Sequence, residues 1–381
     1  MTKPISIIGG GIGGLTTAIT LHQRGLPIVV YESAPEIKAV GAGIIIANNA
    51  MQVFKDLGID HHITQAGNRI SRIKITDQQL NPLSLVSLAK YEQQYGVYNV
   101  AIHRGTLQQI LADALEYEHI QLNKRLSSIT QQNKVFSLGF DDQTHTDTHL
   151  LIGADGIKSV VRQQLFPPSY IRNAQQICWR GLCTLALATH YQHEINEAWG
   201  KGRRFGFVKI NEQQVYWYAL VNKKTTNSPT SEQLLNIFAD FHRDIRDIIA
   251  ATESSQIIEN DIIDLRPIYQ WQQKGVCLLG DAAHATTPNL GQGACQAIED
   301  AYILGKLLDK GKTLEQAFPE YERLRLKKAH AVVQKSWTLG KIAHWENPFL
   351  IGLRNFVLRI TPASVNQKQS DDLFDLSKYA F

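Results

Sequence analysis

Two glycine-rich corners and a third acid-ended strand concentrate the residues that could hold a charged ligand. Gly9-Gly10-Gly11-Ile12-Gly13-Gly14 fits G-x-G-x-x-G through Gly9, Gly11 and Gly14, directly behind the apolar run Ile5 to Ile8. In such a turn the first glycine permits a tight bend, the second lets backbone approach a pyrophosphate, and the third lets helix pack on strand. The helix beyond offers free N–H groups and partial positive charge to phosphates. Glu32 closes the next apolar run, "PIVVYE", eighteen residues past Gly14. A carboxylate there accepts ribose hydroxyls and repels a 2′-phosphate. The pattern predicts a dinucleotide site, with NAD and FAD both open.

The second corner lies about 270 residues later. "GDAAHATTPNLGQGACQAIED", Gly280 to Asp300, sets Asp281 at the end of the apolar run "GVCLLG", followed by Pro288, Gly291-Gln292-Gly293 and a helical pattern. An acid at a buried strand end, with a glycine turn into a helix, reads as a second ligand-binding corner. A third stretch, "LLIGADGIKSVVR", ends a strand on Asp155-Gly156, with Ser159 and Arg162 beyond. Asp155 there also suits a helix N-cap.

The elements that must position these corners are legible around them. "ISIIGGGIGGLTTAITLHQRGLPIVVYE" is strand, turn, helix, strand, with Gly25 ending the helix, so a βαβ unit with right-handed crossover is expected. "NNAMQVFKDLG" reads as a capped helix closing at Gly58, and "HRGTLQQILADALE" as another with Leu107, Ile110, Leu111 and Leu115 on one face. A hairpin is predicted around Asp141-Asp142. From about 170 to 225 strands dominate, and "QICWRGLCTLAL", "RRFGFVKI" and "QVYWYALV" suggest an open antiparallel sheet. Next come a polar loop "KKTTNSPTS", a helix near 231–250 and long helices over about 292–308 and 314–344. The nucleotide-binding layer is therefore expected over 1–70, 97–165 and 275–345. An inserted sheet domain is expected over 71–96 and 170–270, with a helical tail at 346–381.

Composition removes several function classes. The 381 residues are 44% apolar and 19% charged, with 39 Lys and Arg against 35 Asp and Glu. A net charge of +4 with scattered cations argues against nucleic-acid binding, and the run "LRLKK" at 324–328 reads as a solvated helix face. Cys178, Cys183, Cys277 and Cys295 form no C-x-x-C pair and no zinc-ligand cluster. Five residues apart in a strand-like stretch, Cys178 and Cys183 should face opposite sides. The N-terminus shows no signal-peptide pattern, and no apolar run reaches the ~20 residues of a membrane span. "FLIGLRNFVL" comes nearest, but Arg354 interrupts it. A cytoplasmic protein without metal and without integral membrane segment is expected, as monomer or homodimer.

The Asp281 corner resembles the flavin-contacting "GD" motif of the class A flavoprotein monooxygenases, the para-hydroxybenzoate hydroxylase-like family. "LLIGADGIKSVVR" is similar to that family's "DG" motif, and Arg104 in "HRGTLQQIL" occupies the place of a family arginine that contacts the cofactor. Three motifs in order span about 300 residues and cover the chain to about 345. The look of "GDAAHATTPNLGQGACQAIEDA" and "WRG" (Trp179 to Gly181) resembles the branch holding salicylate hydroxylase, zeaxanthin epoxidase and FAD-dependent urate hydroxylase. The resemblance implies an α/β fold with a Rossmann-like, GR2-type FAD-binding domain, an inserted antiparallel-sheet substrate domain and C-terminal helices. It implies that Asp281 bonds the ribitol, while Pro288 and the amides of Gly291, Gln292 and Gly293 face the flavin ring. FAD would be held non-covalently, with NADH or NADPH as transient co-substrate lacking its own Rossmann domain. One oxygen atom from O2 would pass through a flavin C4a-hydroperoxide to a small aromatic or heteroaromatic substrate. Arg204 and Tyr216, twelve residues apart on neighbouring strand-like runs, match a pairing of the urate hydroxylase branch and would position that substrate. His284 would be structural. A flavin-dependent reductase or dehydrogenase of an isoprenoid, or a non-catalytic flavin-binding redox sensor, shares the same early features.

Overall fold

The computed structural model describes residues 3–37, 42–223 and 231–379. Most of the predicted polar loop at 223–231 lies outside them. Six strands form the first sheet, in the order Gln272–Gln273, Val276–Leu278, Leu151–Gly153, Ile5–Ile8, Ile28–Tyr31 and Ile120–Gln121. All neighbours run parallel except the first pair. Four of these strands therefore end along one edge, where they deliver Asp281, Asp155, Gly9 and Glu32 in spatial order. Gly9 and Asp281, far apart in sequence, come to flank Asp155 because parallel strands present their carboxyl ends together.

The helix Ile12–His22 packs on this sheet and is buried almost throughout. Its three threonines tolerate burial because each hydroxyl donates to a carbonyl one turn back: Thr16 to Ile12 at 2.7 Å, Thr17 to Gly13 at 2.8 Å and Thr20 to Thr16 at 2.8 Å. The helix ends before Gly25, whose φ of 73° carries the chain into the second strand.

A seven-stranded sheet forms the second layer, in the order Ile258–Leu265, Ile171–Thr184, Gln214–Asn222, Arg203–Lys209, Glu194–Trp199, Arg72–Asp77 and Pro82–Ser87. It is antiparallel except where Glu194–Trp199 meets Arg72–Asp77 in parallel. Those two strands come from distant parts of the chain, so no hairpin fixes their relative direction. A separate core fills one face: Trp179, Phe205, Trp217 and Phe238 pack with the helices beneath. Cys183 joins that core while Cys178 packs with Leu220 and Ile262 on the other face. All four cysteines are free and buried.

Three local expectations change. The helix near 231–250 is two, Ser231–Ile237 and Arg243–Ala250, with Phe238 and Phe241 packed edge to face between them and His242 capping the second by accepting from Asp244 N. The helix Asn48–Asp56 has no side-chain N-cap, because Ala47 stands at the cap position, and Asn48 inside the helix donates across to the Val97 carbonyl. "LRLKK" is no solvated face: Arg325 is fully buried, bonded to Asp300 and Glu299 at 2.7 Å each, and Lys328 reaches Glu299 at 2.7 Å.

Candidate active site

The Gly-rich corner is built by close approach. A Cβ on Gly14 would lie 2.0 Å from the Gly9 carbonyl oxygen, and one on Gly9 would lie 2.4 Å from that of Ala154. Gly11 has open space beside it, the place where a ligand's phosphates can come up to backbone. Glu32 braces the turn: Oε2 accepts from Gly10 N at 2.6 Å, and Oε1 accepts from Ala34 N at 2.8 Å and Ser33 Oγ at 3.1 Å.

Asp155 divides its two oxygens. Oδ2 accepts from Val160 N at 2.7 Å and Val161 N at 3.1 Å, capping the helix Val160–Leu165, while Oδ1 is buried without a hydrogen-bond partner among the described residues. Ser159 adds the side-chain cap to Arg162 N. The Arg162 guanidinium, buried, donates to the Ala282 carbonyl at 2.8 Å and to Ser169 Oγ at 2.9 Å, fastening this corner to the next.

Asp281 opens the short helix Asp281–His284 and makes no hydrogen bond among the described residues. It is open to the cleft yet crowded by protein, and that crowding raises its carboxyl above the usual value against the pull of His284 and Arg104. Arg104 begins the helix Arg104–Leu115, is also accessible, and forms no ion pair or side-chain hydrogen bond among the described residues. Crowding and the nearby Arg180 lower its pKa, while Asp281 and Glu32 raise it. Two unspent charges thus face one cleft.

Pro288 leads a single turn to Gly291, whose φ of 62° favours glycine, and the helix Gly293–Asp309 starts after Gln292. Gly291 and Gly293 leave this corner open, since a Cβ on Gly293 would meet only Thr286 at 3.6 Å. The Gln292 side chain turns inward, accepting from Asn49 at 3.2 Å and Gln296 at 3.1 Å. Behind it, Glu299, Asp300 and Arg325 form a buried charge network that Tyr379 closes from the C-terminal segment. His284 belongs to it, bonded to Asp300 at 2.7 Å and packed on Trp271.

The seven-stranded sheet brings its own groups. Arg204 is 1% exposed, paired with Glu197 at 3.0 Å and hydrogen-bonded to Asn289 of the Pro288 turn. Glu197 also accepts from Trp199 Nε1 at 2.6 Å and from the Tyr218 hydroxyl. Tyr216 packs its ring against Gly43, where a Cβ would lie 2.4 Å away. Its hydroxyl donates no hydrogen bond among the described residues. Burial pushes its pKa well above the usual value, with Arg180 beside it pulling the other way. Sequence reasoning passed over Glu197, Arg180, Asn289 and Asn49. Only Arg180 carried a signal, within "WRG"; Asn289 and Asn49 matter through partners far away in the chain, and Glu197 through side chains gathered from two neighbouring strands and its own.

The open backbone at Gly11, the orphaned Asp155 Oδ1 and the unpartnered Asp281 suit a ligand rich in hydroxyls and phosphates, and FAD fits this cleft. The arrangement is that of a flavin-dependent oxidoreductase. Residues 2–336 match the family described as FAD binding domain, and the chain belongs to that family, the class A FAD-dependent monooxygenases. It is 35% identical to aurachin C monooxygenase/isomerase of Stigmatella aurantiaca over 93% of this chain and 94% of that protein. It is 29% identical to 2-heptyl-3-hydroxy-4(1H)-quinolone synthase of Pseudomonas aeruginosa over 97% of each. The solved structure of Klebsiella pneumoniae HpxO complexed with FAD and uric acid superposes with a TM-score of 0.88 at 26% identity, covering 98% of both chains. No helix among the described residues is long and apolar enough to cross a membrane.

Proposed function

We propose that the protein is an NAD(P)H-dependent monooxygenase that hydroxylates a fused-ring nitrogen heteroaromatic of the quinolone type. Substrate, O2, NAD(P)H and a proton give hydroxylated substrate, water and NAD(P)+. Bound FAD supplies the redox and oxygen-transfer chemistry. Residues 1–70, 97–165 and 275–345 would hold it, with Asp281 on the ribitol, Glu32 on the ribose, Arg104 near the phosphates, and Gly11 and Gly291 leaving room. The sheet of 71–96 and 170–270 would hold the substrate.

The observation that carries this reading is the Tyr216 hydroxyl, buried beside Arg180 with its proton unspent. Held neutral by burial, Tyr216 keeps that proton and can donate it as a hydrogen bond to a ring oxygen, but it cannot act as a base near neutral pH. Arg180 supplies positive charge to the same oxygen. Arg204 already has Glu197, so in this reading it positions Asn289 and the flavin-facing turn, and an anionic substrate would compete with Glu197 for it. The name of the Pseudomonas aeruginosa relative points to a quinolone-type ring.

The test is a panel of ring compounds, 2-alkyl-4-quinolones and urate included, scored for stimulated NAD(P)H oxidation and one added oxygen in the product. A quinolone should be turned over, and Tyr216→Phe should raise its KM roughly fivefold or more, as expected for one lost hydrogen bond. Oxidation of NAD(P)H that no ring compound stimulates would overturn the assignment.

A further inference from the structure

The segment that reads in sequence as an apolar run broken by Arg354 folds as the helix Pro348–Ile360, turned inside out for a surface helix. Its central charge points inward: Arg354 is 3% exposed, donates to the Ala343 carbonyl at 2.9 Å and stands over the Trp199 ring at 5.2 Å. Ile351 and Leu358 are half-buried, while most of its other large apolar side chains point outward. Phe349 is 77% exposed, Leu353 48%, Phe356 58%, Val357 47% and Ile360 59%. The spacing 349, 353, 356, 360 puts them on one face. Leu85, on the edge strand Pro82–Ser87 that the helix packs against, is half exposed and extends that face. Contiguous exposed apolar surface of this kind marks an interaction site, unlike singly scattered side chains.

The helix and the turn after it carry basic residues alone, bounded by Glu346 before and Asp371 and Asp372 after. From Asn347 to Ser370 the chain carries no acidic residue and three basic ones, Arg354, Arg359 and Lys368. Arg359 and Lys368 are exposed; among the described residues Arg359 has a long 3.8 Å pair with Asp77, and Lys368 lies near Asp372.

We propose that this face docks on an anionic lipid surface, with the helix lying in the headgroup boundary and its apolar side inserted. Two Phe, a Leu, a Val and an Ile exposed on one side of a helix that itself carries arginines and no acid is the pattern of an interfacial helix. Exposed cations beside it gain from anionic headgroups. A second copy fits less well, because a two-fold contact would set the same cationic patch against itself. Docking would bring the seven-stranded sheet to the membrane: Trp199, beneath Arg354, donates to the Glu197 that holds Arg204. A membrane-borne alkylated substrate belongs to the reading proposed above, whereas vesicle binding needs no substrate, so either can fail alone.

The experiment floats the flavin-loaded full chain with vesicles of phosphatidylcholine containing phosphatidylglycerol, and with phosphatidylcholine alone. The protein should rise with the anionic vesicles, less with the neutral ones, and less again in high salt. Leu353→Ser with Phe356→Ser should weaken binding on the order of a hundredfold, with flavin content and thermal unfolding unchanged because both side chains are exposed. A Phe356→Trp probe should shift its emission to the blue on anionic vesicles. Failure to float with anionic vesicles overturns the proposal. So does a dimer that the double variant converts to monomer while neither form binds lipid, which would give the face to a second copy.

Discussion

Asp281→Ala should separate flavin retention from folding. In the fold Asp281 sits at a strand's carboxyl end with no protein hydrogen bond among the described residues, and crowding disfavours its charge. The flavin-free protein therefore loses no hydrogen bond among the described residues when the carboxylate is removed, and its melting temperature should move by less than about 2 °C. If Asp281 holds the ribitol as proposed, the holoprotein would lose charge-assisted hydrogen bonds to FAD hydroxyls worth about 1.5–3 kcal/mol. At 1.4 kcal/mol per decade that weakens FAD binding roughly ten- to hundredfold. Asp281→Asn, which keeps an acceptor and drops the charge, should fall between wild type and alanine. Titrating the flavin-free protein with FAD, monitored by quenching of flavin fluorescence, gives the affinity; melting of the same sample gives stability. Wild-type affinity in the alanine variant would refute the ribitol role. A large fall in the melting temperature of the flavin-free protein would show that Asp281 serves the helix instead.

Purified protein should carry about one FAD per chain, and acid should release it intact; recovery of FMN, or no uptake of FAD on reconstitution, contradicts the cleft assignment. Gly14→Ala should abolish flavin uptake and depress expression, because its Cβ would stand 2.0 Å from the Gly9 carbonyl oxygen; a well-folded, FAD-loaded variant would show that the corner can relax. Arg325→Met should cost about 3–5 kcal/mol in urea unfolding, since Glu299 and Asp300 would stay buried with their main cation gone. His344 is buried, and desolvation first, then the charge of Arg204, brings its pKa down to about 3. The unfolded chain binds that proton near pH 6.5, so the contribution is complete above 6.5 and is lost as pH falls toward 3, at up to about 1.4 kcal/mol per pH unit. His344→Gln should flatten that part of the stability profile, and an unchanged slope would place the proton elsewhere.

What the sequence determined by itself is local. Gly9, Gly11 and Gly14 between an apolar run and a helical stripe specify a strand–turn–helix corner, because a 2-residue and a 3.6-residue period meet at residues that permit close backbone approach. The same holds at Asp281 and at Asp155, and the ends of the long helices near 292–308 and 314–344 were legible from their stripes. Ordering the corners along one edge took the resemblance in motif order, which the parallel sheet then realises as Asp281, Asp155, Gly9 and Glu32 side by side. Tertiary structure decided the fate of the charges. "LRLKK" and "FLIGLRNFVL" have helical spacing that says which residues share a face, but not which face meets protein. Arg325 is internal because Glu299 and Asp300 rise to meet it, and Arg354 because Trp199 and the Ala343 carbonyl do. Arg204 likewise takes Glu197 and Asn289, seven and 85 residues away, as partners. A long, flexible cation reaches several ångströms for whatever acid the fold brings near, so its role is fixed by through-space neighbours that no local pattern encodes.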